Sequence, residues 1–477
     1  MGLRSMDIRV KPSSFAHPEN MLFVHVWVSE SAATHRPGSP AENFRPPSPN
    51  LFVSRPPHHF LYRLCLLLLG LLFCGALAAL ATPTQPYPQP NPSGDEQQML
   101  ELINRARANP PAEGIRLATV ADPDILNNYA YFKVDTARLV SDFAGYAPTP
   151  PLAMNALLMA SARRHSLDLA AAGVQQHNGT DGSTFDGRVT AAGYVWRTVT
   201  ENVYAWVLNP TFAHVGLNSD WGVPKLDHRD NIMNLLPASM GTLKEIGISS
   251  VPTGIPGFGP QVVTQDFATP LDPNVAYLVG AVYTDQDGSG SYDSGEGLAG
   301  VTVTPDTGAY YAVTPAAGGF TIPLPATGAG TLTVTARGGS LGEAGQTRAV
   351  AWAAGTNAKV DFAVAPALPV VSVSTSVRDA RAANGTPATF TVTRMGGLGR
   401  KLKVIVQYSG TAVMGWDYGS MSQMVKLHPG EASASVQISA LSNAPSTGRT
   451  VKLQILPGTD YLVSPTARKA KGKVWGR

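Results

Sequence analysis

PLAMNALLMASARRHSLDLAAAG (151–173) runs into QQH (175–177), and TEN (200–202) and DHRDNI (227–232) follow. The first piece is helix-like. Leu152, Ala156, Met159, Ala160, Arg163 and Leu167 trace helical rows over about 152–173, and Gly173 stops them. The later pieces place His177, Glu201 and His228 beside turn-forming stretches. Two imidazoles and a carboxylate are the groups that hold a divalent metal or shuttle protons, provided the fold brings them together.

Upstream, TPTQPYPQPNPSG (82–94) reads as a Pro-rich linker. Ser93 and Glu96 have capping-box spacing, so a helix is expected from about Asp95. Met99, Leu102, Ile103 and Ala106 continue it, and Pro110 should end it. The stretch 116–148 reads as a long loop with one short helix near Asp135–Phe143. Further upstream lies LYRLCLLLLGLLFCGALAALA, which follows Arg55, includes Arg63 and ends in Ala79-Leu80-Ala81. It reads as a signal peptide (60–81) with export of the mature chain, the alternative being one membrane anchor. The chain's two cysteines, Cys65 and Cys74, both lie in that run, so cleavage would leave no disulfide and no thiol chemistry. Residues 1–59 show no period and read as a disordered extension or a mis-assigned start.

At 477 residues the chain is too long for one domain. A net charge of +3 gives no reason to expect nucleic acid. From about 275 the helical period gives way to short alternating runs such as YLVGAVYT, GVTVTP and TLTVTARG, punctuated by Gly, Pro and Asp. After APALP (365–369) a second such series begins. Each series is the size of a β-sandwich, and the expected domains are 95–270, 274–365 and 369–477.

The 95–270 segment resembles the CAP superfamily of cysteine-rich secretory, antigen 5 and pathogenesis-related proteins, in a cysteine-free bacterial form. The pieces that carry the resemblance are LINRARANP (102–110), LAMNALLMASARRHSLDLAAAG (152–173) and the series from His177 through Arg188 to Ala192-Gly193-Tyr194. TENVY (200–204), HRDNIM (228–233), KEIGISSV (244–251) and VVTQDFA (262–268) complete the set. The resemblance implies an α-β-α sandwich whose groove holds two histidines and two acids. His177, Glu201 and His228 fall on three of those places. The fourth is Asp220 or its rival Asp227. Such a set suits zinc or another divalent ion, and Glu201 could either touch the metal or orient a histidine. A buried hydrogen-bond network is the structural alternative for the same residues. His165 reads as a surface or satisfied structural histidine, His214 matches no motif position, and Arg105 and Arg107 read as salt-bridging helix residues. Asn178-Gly179-Thr180 is a formal glycosylation sequon.

GAVYTDQDGSGSYDSGEGLAG (280–300) carries oxygen-bearing residues at calcium-loop spacing. From Asp285 as position 1, Asp287, Ser289, the carbonyl of Ser291, Asp293 and Glu296 follow, with Gly290 at the sharp turn. Four acids this close repel one another without a cation. No helices flank the loop, and the segment resembles calcium-binding Cna-B-like or carboxypeptidase-regulatory-like modules. A solvated acidic turn is the alternative.

Residues 369–477 resemble a Calx-beta domain through PVVSVSTS, the 389–419 run and PGEASASVQISAL (429–441). SNAPSTGRTVKL stands where calcium-binding members carry acids, so no calcium is expected there. Asp417 and Glu431 read as isolated turn residues. The tail ARKAKGKVWGR is basic. It reads as a final strand with a solvated face, with contact to an anionic wall polymer as the alternative.

The fold class expected is therefore multidomain: an N-terminal α-β-α sandwich followed by two all-β sandwiches. Three functional readings stand. The first is a secreted or envelope-associated binding protein whose groove takes a divalent metal and a lipid or cell-wall ligand, carried on calcium-stabilised modules. The second is a metal-assisted hydrolase using His177, His228 and Glu201. The third is a structural surface or adhesion protein with an inactive groove. No third firm metal ligand and no activated Ser or Cys nucleophile is visible, which weighs against catalysis.

Overall fold

The computed structural model describes residues 83–223 and 225–477. The readings of 1–59 and of the signal peptide 60–81 lie outside them. No helix among the described residues is long and apolar enough to cross a membrane.

A short strand β1 (Gln85–Pro86) precedes helix α1 (Gly94–Ala108). The capping box forms as its spacing predicts: Glu96 donates its backbone N–H to Ser93 Oγ, and Ser93 donates its own to Glu96 Oε2 at 2.7 Å. Pro110 does more than end this helix. It is the first residue of α2 (Pro110–Ala118), capped by Asn109. Proline suits that place because a first-turn N–H has no intrahelical partner to lose. The expected loop at 116–148 is instead helical in large part. Asp122 and Asp135 cap α3 (Pro123–Phe132) and α4 (Thr136–Ala144). A capping acid and a first-turn proline start α3, which was not expected, while α4 is the short helix expected near Asp135–Phe143.

Strand β2 (Ala153–Met154) leads to α5 (Ala156–Ala172), which ends at Gly173 in the left-handed conformation. Then come α6 (Phe185–Ala191), β3 (Trp196–Val207), α7 (Pro210–Ser219), α8 (Asp227–Met233), β4 (Glu245–Pro252) and β5 (Gln261–Pro270). The sheet order is β2-β4-β5-β3, so β3 is a terminal strand. Alternate residues of β5 serve opposite layers. Val263 and Phe267 join a core with Ile103, Phe143 and Trp221, while Val262 and Ala268 face the side of Leu169 and Leu158 on α5. Helices therefore cover both faces in an α-β-α sandwich. Gly247 lets α5 approach, since a Cβ there would lie 2.0 Å from the Leu158 carbonyl carbon.

The next strands are β6 (Tyr277–Thr284), β7 (Thr302–Pro305), β8 (Tyr310–Val313), β9 (Gly319–Pro323), β10 (Ala329–Arg337), β11 (Gln346–Ala353), β12 (Ala358–Lys359) and β13 (Phe362–Val364). They form sheets β1-β8-β7-β10-β11 and β12-β6-β13, with β9 added to β6. The stretch read as a linker docks on β8 and β9. Its β1 pairs with Tyr310–Tyr311, and the Gln89 amide exchanges two hydrogen bonds with the Thr321 backbone.

The described chain packs into two compact units, and the expected domains 95–270 and 274–365 fall largely in the first. One runs through Val282 and resumes at Gly297–Phe362; the other comprises Tyr283–Glu296 and Ala363–Arg477. Within the first, Asn357 donates to the carbonyls of Pro151 (2.9 Å) and Lys244 (2.7 Å), and Lys359 pairs with Glu101 at 2.8 Å.

The second unit holds β14 (Val370–Val377), β15 (Asp379–Arg381), β16 (Ala388–Met395), β17 (Leu402–Gly410) and β18 (Met424–Leu427). It continues with β19 (Ser433–Ile438), β20 (Arg449–Ile455), β21 (Leu462–Val463) and β22 (Lys469–Trp475). Its sheets are β19-β16-β14-β21 and β15-β22-β20-β17-β18, and Phe390, Val404 and Leu453 lie in the core between them. Asp417 is no simple turn residue: it is buried, paired with Arg449 at 2.9 Å, and it accepts the Val413 N–H.

Candidate functional site

TEN sits on β3, where successive side chains point to opposite layers. Glu201 points toward α5 and α6. Its Oε1 meets His177 Nδ1 at 2.9 Å and its Oε2 accepts from Arg188 Nη2 at 2.5 Å. Arg188 also donates to the carbonyls of His177 (3.0 Å) and Ser183 (2.9 Å), which fixes the turn carrying His177. The Glu201 side chain has no exposure. Burial alone would raise its carboxyl, but the His177 hydrogen bond and the nearby positive groups hold it below the usual range.

Asn202 points to the other layer. Its amide donates to the His228 carbonyl at 3.2 Å and to Gln265 at 3.1 Å, and it accepts from Asn231 at 2.8 Å. His228 Nδ1 meets Asp220 Oδ1 at 2.5 Å, and Asp220 Oδ2 accepts the Arg229 N–H at 3.1 Å. Asp220 ends α7 in the left-handed conformation, φ 50°. Asp220 rather than Asp227 is thus the acid on His228; Asp227 opens α8.

The two histidines are built alike. Each gives Nδ1 to a carboxylate with no side-chain exposure, and each ring stays partly exposed, 25% for His177 and 17% for His228. An acceptor on Nδ1 favours the tautomer whose Nε2 lone pair is free for a ligand. Glu201 and Asp220 are therefore braces for the rings. Among the described residues, the group of three ligating side chains whose atoms lie mutually within 4.8 Å is Asp285, Asp287 and Glu296; the four groove residues do not gather that tightly.

His165 is buried on α5, not a surface group. Its Nε2 donates to the Gln176 carbonyl at 2.9 Å, and burial lowers its pKa. His214 is buried against Glu113 at 2.9 Å, which also binds Arg105 at 2.6 Å. Among the described residues Arg107 has no ion-pair partner of the expected kind. It is buried and donates to the carbonyls of Pro150, Ile232 and Leu243.

Sequence reasoning passed over Asp266. It faces Glu201 directly across β3 and β5, is fully buried, and has no hydrogen-bond partner on either carboxylate oxygen among the described residues. Burial pushes its carboxyl well above the usual range, and the Glu201 charge pushes the same way. The signal was present in VVTQDFA, an acid at a strand position whose neighbours two residues away are buried.

The 285–296 loop closes on itself. Asp285 accepts the Gly288 N–H at 2.7 Å, Asp287 that of Ser289 at 2.9 Å, and Glu296 those of Gln286 (2.6 Å) and Asp293 (3.0 Å). Ser289 Oγ donates to the Ser291 carbonyl and to Asp293, each at 3.1 Å. Gly290 takes φ 74°, a turn that a side chain would strain. Burial raises the Glu296 carboxyl, and Asp293 and Asp287 add to it.

Residues 100–254 match the family model of the cysteine-rich secretory protein family, CAP. No curated protein matches the chain. Among solved structures, the chain is similar to an extracellular protein containing an SCP domain from Bacillus anthracis. That match has 18% identity and TM-score 0.20, over 31% of this chain and 44% of that one. It is similar to the apo-form Calx CBD1 domain at 12% identity and TM-score 0.20, over 23% of this chain and 99% of the other. An outer surface protein of Borrelia burgdorferi aligns at 12% identity and TM-score 0.22, over 32% of this chain and 96% of its own.

Proposed function

Taking the CAP domain at residues 100–254 as premise, we propose that the chain is an exported binding protein. Its groove offers two carboxylate-braced imidazoles, His177 and His228, to a divalent metal ion and through it to a lipid or wall-derived ligand. One observation carries this reading: each ring is tied through Nδ1 to a buried acid, Glu201 or Asp220. That is how metal-binding histidines are oriented from behind. With two imidazoles as the protein's ligands, the remaining positions on the ion are left to water or to the bound molecule, which suits capture. The donor set fits zinc.

The hydrolase reading needs Glu201 as a base on a metal-bound water. Each of its oxygens already accepts a hydrogen bond, from His177 or Arg188, and the side chain is fully buried, which weighs against that role. In the second unit the 285–296 loop is a structural calcium site in this reading, resting on its spacing and on three gathered carboxylates. Export rests on the 60–81 reading.

Zinc titration of the full chain tests the groove. Wild-type protein binds one ion per chain there, and the His177→Ala/His228→Ala double variant binds none. Glu201→Gln weakens binding about 10- to 100-fold, as loss of an orienting carboxylate does. Equal zinc uptake by the wild type and the double variant would sink the proposal.

A further inference from the structure

One sheet of the second unit, β15-β22-β20-β17-β18, packs Val404, Leu453 and Val474 inward. Its outward positions carry Lys403, Lys426, Lys452, Lys469, Lys471 and Lys473, all exposed. The register sets Lys452 opposite Lys471 and Lys403 opposite Lys426. Like charges directly across a sheet cost stability. Lysine is often placed on a free edge to block pairing, but Lys452 and Lys473 stand where their strands pair on both sides. A merely solvating face mixes both signs. Here the outward positions offer one acid, Asp379, and Arg381 already pairs with it at 3.1 Å. A net charge of only +3 for the chain conceals this local concentration.

Along β22, Lys469, Lys471 and Lys473 recur every second residue, about 6.8 Å apart, and Lys452 on the adjacent strand stands opposite Lys471. We propose that this face binds a linear, non-nucleic polymer of phosphodiester-linked units lying along β22 and β20. Such a chain carries one charge per unit and can meet successive lysines. A polysaccharide with one carboxylate per sugar pair would leave alternate lysines unmatched. Single-stranded nucleic acid is held on aromatic platforms as well as cations. The aromatic at these outward positions, Trp475, lies under Arg381 (5.2 Å) and Lys473 (5.1 Å).

The test uses the full chain with inorganic polyphosphate as probe, followed by calorimetry across a salt series. Four lysine contacts predict that log K falls with log salt at a slope of about −3, and the K452Q/K471Q/K473Q variant at about −0.7. The matching Lys→Arg triple keeps the wild-type slope. If the glutamine triple melts early, K469Q alone decides, with an expected drop in slope of about 0.7. An unchanged slope in the glutamine variants overturns the proposal. So does tighter binding of oligo-dT at equal phosphate number, which would mean base stacking, or equal binding of hyaluronate.

Discussion

Asp266 and Glu201 face one another across two strands, both with buried carboxylates. Two adjacent buried carboxylates cannot both hold a charge at modest cost. Glu201 has His177 and Arg188 to stabilise its charge, so the proton goes to Asp266. The sign of the pH effect follows. A folded-state pKa above the unfolded value means that the folded protein holds the extra proton. Stability is then complete below about pH 4 and declines as pH rises toward the folded pKa. Asp266→Asn is permanently neutral and escapes that decline. Its stability should equal wild type near pH 4 and exceed it by about 1 kcal/mol or more at pH 7. Urea melts at both pH values check this, and a variant less stable than wild type at pH 7 would show Asp266 to be charged and paired. The histidines were legible from their motif positions. Their braces were legible only as acids nearby, because which oxygen meets which nitrogen depends on β3 being flanked on both faces by loops far apart in sequence. Asp266 went unnoticed because strand parity becomes visible only once the sheet's two covers are known.

Elements were read best where local chemistry alone decides them. The Ser93–Glu96 box and Gly173 set helix ends that tertiary packing did not move. In the 116–148 stretch the expected helix near Asp135–Phe143 forms as α4, whereas α3 was missed because ten residues carry too few apolar repeats for a period to emerge. The 285–296 loop is the opposite case. Twelve residues specify its path, and Asp285, Asp287 and Glu296 gather as their spacing predicts. Extracellular calcium modules bind at about 10⁻⁴ to 10⁻³ M. At ten times the dissociation constant, calcium should therefore stabilise the unit that holds the loop by about 1.4 kcal/mol. Calorimetric scans of the full chain with calcium and with chelator should differ in the melting of that unit. Glu296→Gln should abolish the difference, and a calcium shift that survives this substitution would place the ion elsewhere.

The first compact unit continues past 270, where helical texture stops. Composition reports which residues make strands, but it carries no record of what those strands are pressed against. Asn357 occupies the carbonyls of Pro151 and Lys244, and its Oδ1 accepts the Tyr277 N–H at 2.8 Å. Lys359 faces Glu101, whose carboxyl burial raises despite that partner. Tyr277 and Val279 bury against Ala153, the residue that begins the sheet of the CAP domain. Cutting after 270 would remove Asn357, Lys359, Tyr277 and Val279 together, uncovering Ala153 and freeing the carbonyls of Pro151 and Lys244. Each such hydrogen bond contributes about 1 kcal/mol net. The 95–270 fragment should therefore unfold at lower urea than an 83–365 fragment, by a margin worth about 2 kcal/mol. Lys359→Met in the full chain should reproduce part of that loss. Matching urea midpoints for the two fragments would mean that the CAP domain is self-sufficient and the following strands are only its passengers. The predicted gap would mean that the first sandwich is part of the platform on which the histidine groove is built.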